Sequence, residues 1–208
     1  MDKKDLLLYL VTDSSMANGK LEEIVKLAVE NGVTMVQLRE KELAFKAFCD
    51  RALKVKTICD KYNIPLIIND NVAVCLAVNA SGVHLGSSDC DISIARQKLG
   101  NNKIIGGSCR DTYRAMLAEK AGADYLGVGA VFGTSTKLDA KPITLQTLST
   151  IASSVSIPVV AIGGINAKNI LQLKDSGIAG VAVVSAIIKA QNVATATKDM
   201  LTLAKTLI

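Results

Sequence analysis

The chain has 208 residues, half of them hydrophobic and 21% charged, which supplies a sizeable core and excludes intrinsic disorder. With 3 Phe, 4 Tyr and no Trp that core must be built from Val, Ile, Leu and Ala, as in parallel strands covered by helices, and an aromatic platform for stacking bases is disfavoured. The 24 basic and 19 acidic residues leave a scattered +5, which suits small anionic substrates and argues against a nucleic-acid partner.

In chain order, Leu6 to Val11 reads as a buried first strand. It is too brief for a signal peptide, since Asp13 follows without a small-residue cleavage site. Apolar spacing at Leu21, Ile24, Val25 and Ala28 predicts a helix, followed by a second strand at Met35 to Leu38. Phe45, Phe48, Ala52, Val55, Cys59 and Tyr62 mark the next helix, and Ile64-Pro65 opens a third strand over Leu66 to Ile68. The interval after Asp70 is the least regular. Further strands follow at Val83 to Leu85, Ile104-Ile105, Tyr125 to Val128, Val159 to Ile162 and Val181 to Val184, and Met200, Leu203, Ala204 and Leu207 mark a last helix. A helix-like stretch ends at glycine four times, at Gly32, Gly82, Gly122 and Gly177, where glycine suits the left-handed residue that closes a helix. The connection at Gly82 is the shorter one.

Eight strands alternating with helices over 208 residues lie close to the lower limit of about 200 residues for a (β/α)₈ barrel. The expectation is a minimal TIM barrel of the α/β class, one domain over 1–208. An open doubly wound sheet is set aside, because the turn after the first strand is Thr12-Asp13-Ser14-Ser15 rather than a G-x-G-x-x-G turn. No segment is long enough to span a membrane. The five cysteines (Cys49, Cys59, Cys75, Cys90, Cys109) form no C-x-x-C pair and read as reduced thiols of a cytoplasmic protein. Homo-oligomerisation is left open.

A barrel of this kind carries its chemistry at the carboxyl ends of its strands, and there the chain turns polar or glycine-rich. Strand 2 ends Gln37-Leu38-Arg39-Glu40-Lys41, strand 3 ends Asn69-Asp70, Asp89 follows strand 4 and strand 5 ends at Ser108. Strand 6 runs into Thr134-Ser135-Thr136-Lys137, strand 7 ends Gly163-Gly164 and strand 8 ends at Ser185. Alternation turns Gln37 and Arg39 toward the mouth; otherwise Arg39 and Lys41 are solvated charges paired with Glu40 or Glu42. Gly163-Gly164, with Asn166 as an N-cap of the next helix, and Ser185 form the phosphate site expected of the last two loops. Asp70 and Asp89 are hard oxygen ligands suited to Mg²⁺, unless they merely cap the helices that follow. The one histidine, His84, reads as a hydrogen-bonded interior residue, and no Ser-His-Asp or thiol-His set is specified. These features imply a monophosphate site after strands 7 and 8 and, across the mouth, a cationic Mg²⁺ site for a diphosphate, suited to loss of pyrophosphate and capture of the resulting cation.

With those residues in place the sequence resembles the thiamine-phosphate synthase family over nearly its whole length. The landmarks are Tyr9, Thr12-Asp13, Gln37-x-Arg39-x-Lys41, Asn69-Asp70, Gly82-x-His84-x-Gly86 and Gly106-x-Ser108, then Ala123-Asp124-Tyr125-x-Gly127-x-Gly129, Thr134-x-Thr136-Lys137, Ile162-Gly163-Gly164-Ile165 and Val184-Ser185. The resemblance implies small-molecule substrates. A pyrimidine diphosphate would lose pyrophosphate, and a thiazole phosphate would capture the cation to give thiamine phosphate. It implies Mg²⁺ on Asp70 and Asp89, the pyrimidine diphosphate among Gln37, Arg39, Lys41, Asn69, Ser108 and Lys137, and the thiazole phosphate on Thr134, Thr136, Gly164, Val184 and Ser185. Lys137, Arg39 and Ser108 would act on the departing pyrophosphate. Ser81, Ser87 and Ala130 depart from the family's usual Asp, Gln and Pro. The alternatives are a thiazole tautomerase of the same barrel, which tends to lack the aspartates and the Thr-x-Thr-Lys segment, and a non-catalytic regulator that binds the precursors without turnover.

Overall fold

In the computed structural model, which describes residues 1–86, 91–133 and 142–208, eight parallel strands close on themselves in sequence order. They are β1 (Leu8–Val11), β2 (Met35–Leu38), β3 (Leu66–Asn69), β4 (Gly82–Leu85), β5 (Ile104–Cys109), β6 (Tyr125–Gly129), β7 (Val159–Ile162) and β8 (Gly180–Val183), with β8 pairing β1. The helices are α1 (Leu21–Glu30), α2 (Phe45–Lys61), α3 (Val72–Ala77), α4 (Ile92–Leu99), α5 (Thr112–Lys120), α6 (Leu145–Ser154), α7 (Ser185–Ile188) and α8 (Val193–Ala204).

Strand alternation sorts the side chains into two cores. Leu8, Leu10, Val36, Leu38, Leu66 and Ile68 point outward and pack with the buried faces of the helices. Leu6, Tyr9, Val11, Met35, Ile67, Tyr125, Val160 and Ala182 fill the barrel itself. Burying Leu and Ile side chains of this kind contributes about 1.5–3 kcal/mol each. At the amino ends of the strands Arg96 of α4 donates to the Lys103 and Gly122 carbonyls and to Asp124 at 2.6 Å, and Asp124 accepts from the Ile105 amide, which locks α4 under β5 and β6.

The structure departs from the sequence expectation at four places. The first strand begins at Leu8, because Asp2 and Asp5 close a capping box on a 3₁₀ turn at Lys3–Leu6 and leave Leu6 as a plug in the barrel floor. β5 runs from Ile104 through Gly106-Gly107 to Cys109, one residue past Ser108, where the sequence places its end. Between β7 and β8 a 3₁₀ turn, Ile170–Leu173, stands in place of a helix. Gly32, Gly122 and Gly177 do have positive φ, but the left-handed residue after α3 is Asn79 (φ 52°). Gly82 instead begins β4, where a Cβ would lie 2.0 Å from the Ile104 carbonyl oxygen. Ser81 beside it accepts from the Leu66 amide at 3.1 Å, so its departure from the family pattern serves the joint between β3 and β4 and not the mouth.

Replacing Gly82 by Ala should lower the unfolding free energy by about 3 kcal/mol, because backbone rather than a mobile side chain occupies the space. Urea denaturation checks this, and an unchanged midpoint would mean that β4 and β5 separate there at little cost.

Candidate active site

The carboxyl ends of the strands surround a cavity of about 390 Å³. Gln37, Arg39, Lys41, Asn69, Asp70 and Ser108 line it from the β2 to β5 side, and Gly164, Val184 and Ser185 line it from the β7 and β8 side. The structure thus brings nine of the expected residues to one place. Thr134, Thr136, Lys137 and Asp89, together with Ser87, lie outside the described residues.

Arg39 is positioned from the first loop. Its amide donates to Thr12 Oγ1 at 3.1 Å, and its guanidinium Nη1 donates to Asp13 Oδ2 at 3.1 Å. Both charged side chains are mostly buried, 17% and 12% exposed. The expected alternative partner, Glu40, faces the other way, to Arg51 of α2 and the Ser14 hydroxyl.

Asp70 sits at φ 62° just past β3, its amide on the His84 carbonyl and its Oδ2 accepting from Asn69 Nδ2 at 2.6 Å. The helix-capping alternative fails for it, since Asn71 caps α3 by accepting from the Val74 amide. Asp91 fills the corresponding place on α4, accepting from the Ser93 amide. Among the described residues no three His, Cys, Asp or Glu side chains cluster closely enough to hold a metal by themselves.

On the far wall Gly163 and Gly164 have φ of 104° and 66°. A Cβ on Gly164 would lie 2.3 Å from the Gly133 carbonyl oxygen, so the glycine is needed first for packing against Phe132 and Gly133, beyond the end of β6. Asn166 does not cap a helix as expected; it and Asn169 both donate to the Gly164 carbonyl, which holds the turn. The Gly163 and Gly164 amides meet no backbone acceptor among the described residues, and both glycines line the cavity.

A chain of hydrogen bonds forms the cavity floor. Gln37 Nε2 donates to Tyr9 Oη at 2.7 Å, Tyr9 Oη lies 2.8 Å from Tyr125 Oη, Tyr125 Oη 3.0 Å from His84 Nδ1, and His84 Nε2 2.9 Å from Ser108 Oγ. Burial pushes both phenols far up, so each keeps its proton. His84 is an interior hydrogen-bonded residue, as its mid-strand position suggested. Arg110 and Arg114 also line the cavity and were missed in the sequence. Arg110 stands two residues beyond Ser108, the spacing that singled out Gln37 and Arg39.

A family model described as thiamine monophosphate synthase matches residues 8–187. A thiamine-phosphate synthase of Ruminiclostridium cellulolyticum is 52% identical over 200 residues, 96% of this chain and 95% of that protein. One of Enterococcus faecalis is 48% identical over 192 residues, covering 92% and 90%. Among solved structures, a thiamine phosphate pyrophosphorylase from Pyrococcus furiosus superposes with a TM-score of 0.92 at 37% identity, covering 99% of this chain and 98% of its own. A 3-hexulose-6-phosphate synthase shares the fold alone, at a TM-score of 0.72 and 17% identity.

Cys109 also borders the cavity, but burial, with Asp111 nearby as the smaller cause, pushes its thiol up to about 12. Burial likewise raises Cys59 to about 12 and Cys75 to about 11. Only a small thiolate fraction therefore exists below pH 9. Peptide mapping after brief iodoacetamide treatment of the native protein at pH 8 should find these three cysteines unmodified, with labelling only after unfolding; rapid labelling of Cys109 would make it an accessible nucleophile.

Proposed function

The chain belongs to the thiamine monophosphate synthase family and is a transferase that makes thiamine phosphate, and on that premise we propose how its cavity divides the work. The β2 to β5 side takes 4-amino-2-methyl-5-hydroxymethylpyrimidine diphosphate, and the β7 and β8 side takes the phosphate of 4-methyl-5-(2-phosphoethyl)thiazole. One observation carries the reading: Arg39, Lys41, Arg110 and Arg114 line one arc of the mouth and Gly163, Gly164 and Ser185 the opposite arc, both on one cavity.

Arg39, held by Asp13, and Lys41 hold the diphosphate with Gln37, Asn69, Ser108 and Lys137 around it. The bond from the pyrimidine methylene to the bridging oxygen breaks, and its electron pair leaves with pyrophosphate. The amino-pyrimidine ring shares the positive charge left on the methylene. The thiazole nitrogen, brought to it by a phosphate held on Gly164, Val184, Ser185, Thr134 and Thr136, gives its lone pair to form the new carbon–nitrogen bond. Fixed donors aimed at the leaving oxygens supply the electrostatic stabilisation. The donor chemistry fits Mg²⁺: Asp70 offers the cavity a hard carboxylate, and one or two carboxylates with phosphate oxygens complete such a site. Asp70 and Asp89 would hold the ion, whose charge offsets that of the diphosphate. Residues 1–208 are read as one domain. Cys49, Cys59, Cys75 and Cys109 are free thiols, which supports a cytoplasmic setting.

Purified protein given both substrates should release pyrophosphate one for one with thiamine phosphate, and excess chelator should stop it. Folded protein that binds thiazole phosphate without releasing pyrophosphate would overturn the reading in favour of a binding protein or a tautomerase. Asp70→Asn should fold normally and lose about a hundredfold in kcat together with its Mg²⁺ dependence. Wild-type rates in that variant would remove Asp70 from the metal site.

A further inference from the structure

Each phenol in the cavity floor has one proton to give, and its neighbours decide where that proton goes. The Tyr9 hydroxyl has two hydrogen-bond neighbours, the Gln37 amide nitrogen and the Tyr125 hydroxyl. The amide nitrogen only donates, so the Tyr9 proton goes to Tyr125; otherwise a fully buried O–H is left without an acceptor. Tyr125 already accepts from Tyr9, and its remaining neighbour in the chain is His84 Nδ1 at 3.0 Å, which must then be the unprotonated ring nitrogen. A neutral imidazole with Nδ1 bare carries its proton on Nε2, 2.9 Å from Ser108 Oγ. Ser108 therefore receives a proton from below and turns its own toward the cavity it lines.

We propose that Gln37, Tyr9, Tyr125 and His84 form a one-way hydrogen-bond wire that fixes His84 as the Nε2–H tautomer and makes Ser108 a donor to an anionic oxygen in the mouth. Tyr9, Tyr125 and His84 are positioning residues acting through Ser108. The opposite polarity would turn a Ser108 lone pair toward the arc that carries Arg39, Lys41 and Arg110, the place of an anion, and would repel it. Aligned donors reinforce one another, so the bond from Ser108 strengthens as charge builds on the leaving oxygen. The direction of the wire stands on the geometry of the floor alone. Its role in pyrophosphate departure rests on the proposed function.

His84 is the one histidine in the chain, so its ring can be read without assignment. Two-bond ¹H–¹⁵N correlation spectra of the ¹⁵N-labelled wild-type protein near pH 8 should show a neutral ring protonated on Nε2. A proton on Nδ1, in a neutral ring or in an imidazolium, overturns the wire. Tyr125→Phe should move proton density toward Nδ1 and lower kcat about tenfold, the effect of one hydrogen bond, with KM for thiazole phosphate unchanged. In a Ser108→Ala background Tyr125→Phe should change kcat less than about twofold, since its effect passes through the missing hydroxyl. The same tenfold loss in that background would show a purely structural role and refute the proposal. A wild-type protein that releases no pyrophosphate refutes the activity, and the tautomer is read without turnover, so the two failures are separable.

Discussion

Inside a closed parallel barrel a polar side chain has little water to turn to, and a hydroxyl, amide or ring nitrogen left unpaired there costs about 1–3 kcal/mol. Gln37, Tyr9, Tyr125, His84 and Ser108 come from five strands and meet that requirement by bonding one another across the lumen. Among the described residues no buried side-chain nitrogen or oxygen lacks a partner. Two neighbours give up their side chains so that the rings can reach. A Cβ on Gly106 would lie 2.2 Å from Tyr125 Cζ and 2.5 Å from His84 Nδ1, and one on Gly127 would lie 3.0 Å from His84 Cε1. The glycines and the rings are thus one packing solution, and Ser108 owes its place to it.

Strand length fixes how far this polar layer lies from the floor. A four-residue strand offers two inward positions, one below and one above. Met35 and Gln37 fill them on β2, Ile67 and Asn69 on β3, and Tyr9 and Val11 on β1. The lower position is apolar or aromatic and closes the barrel over Leu6. The upper one faces the cavity, polar at Gln37 and Asn69 and apolar at Val11, and the Tyr9 hydroxyl reaches up from the lower layer to meet Gln37.

Much of this layout was legible in the sequence because alternation is local. The period of two at Gln37 and Arg39 needed no knowledge of what lay opposite, and the polar ends of the strands identified the mouth. What depended on partners far along the chain was not legible. Asp13 meets Arg39 across 26 positions because β1 and β2 end side by side, a matter of register. The turn at Ile170–Leu173 was hidden for another reason: its buried Ile170 and Leu173 have the spacing that also suits a helix. Arg110, two residues past Ser108, obeys the same period of two as Gln37 and Arg39.

Alternation also sorts charge at the mouth. Arg39 and Glu40 are adjacent and would offset each other as loop residues, but past the end of β2 they point to opposite sides. Glu40, 6% exposed, goes to the helix layer, where Arg51 of α2 meets it at 3.0 Å. Arg39 goes to the lumen side, where Asp13 takes one edge of the guanidinium. A fixed guanidinium edge is a better anion site than a mobile one, because the cost of ordering it is met on folding rather than on binding. The positive character of the mouth therefore comes from which neighbour each strand-end residue is turned toward, and a modest net charge of +5 is enough to produce it.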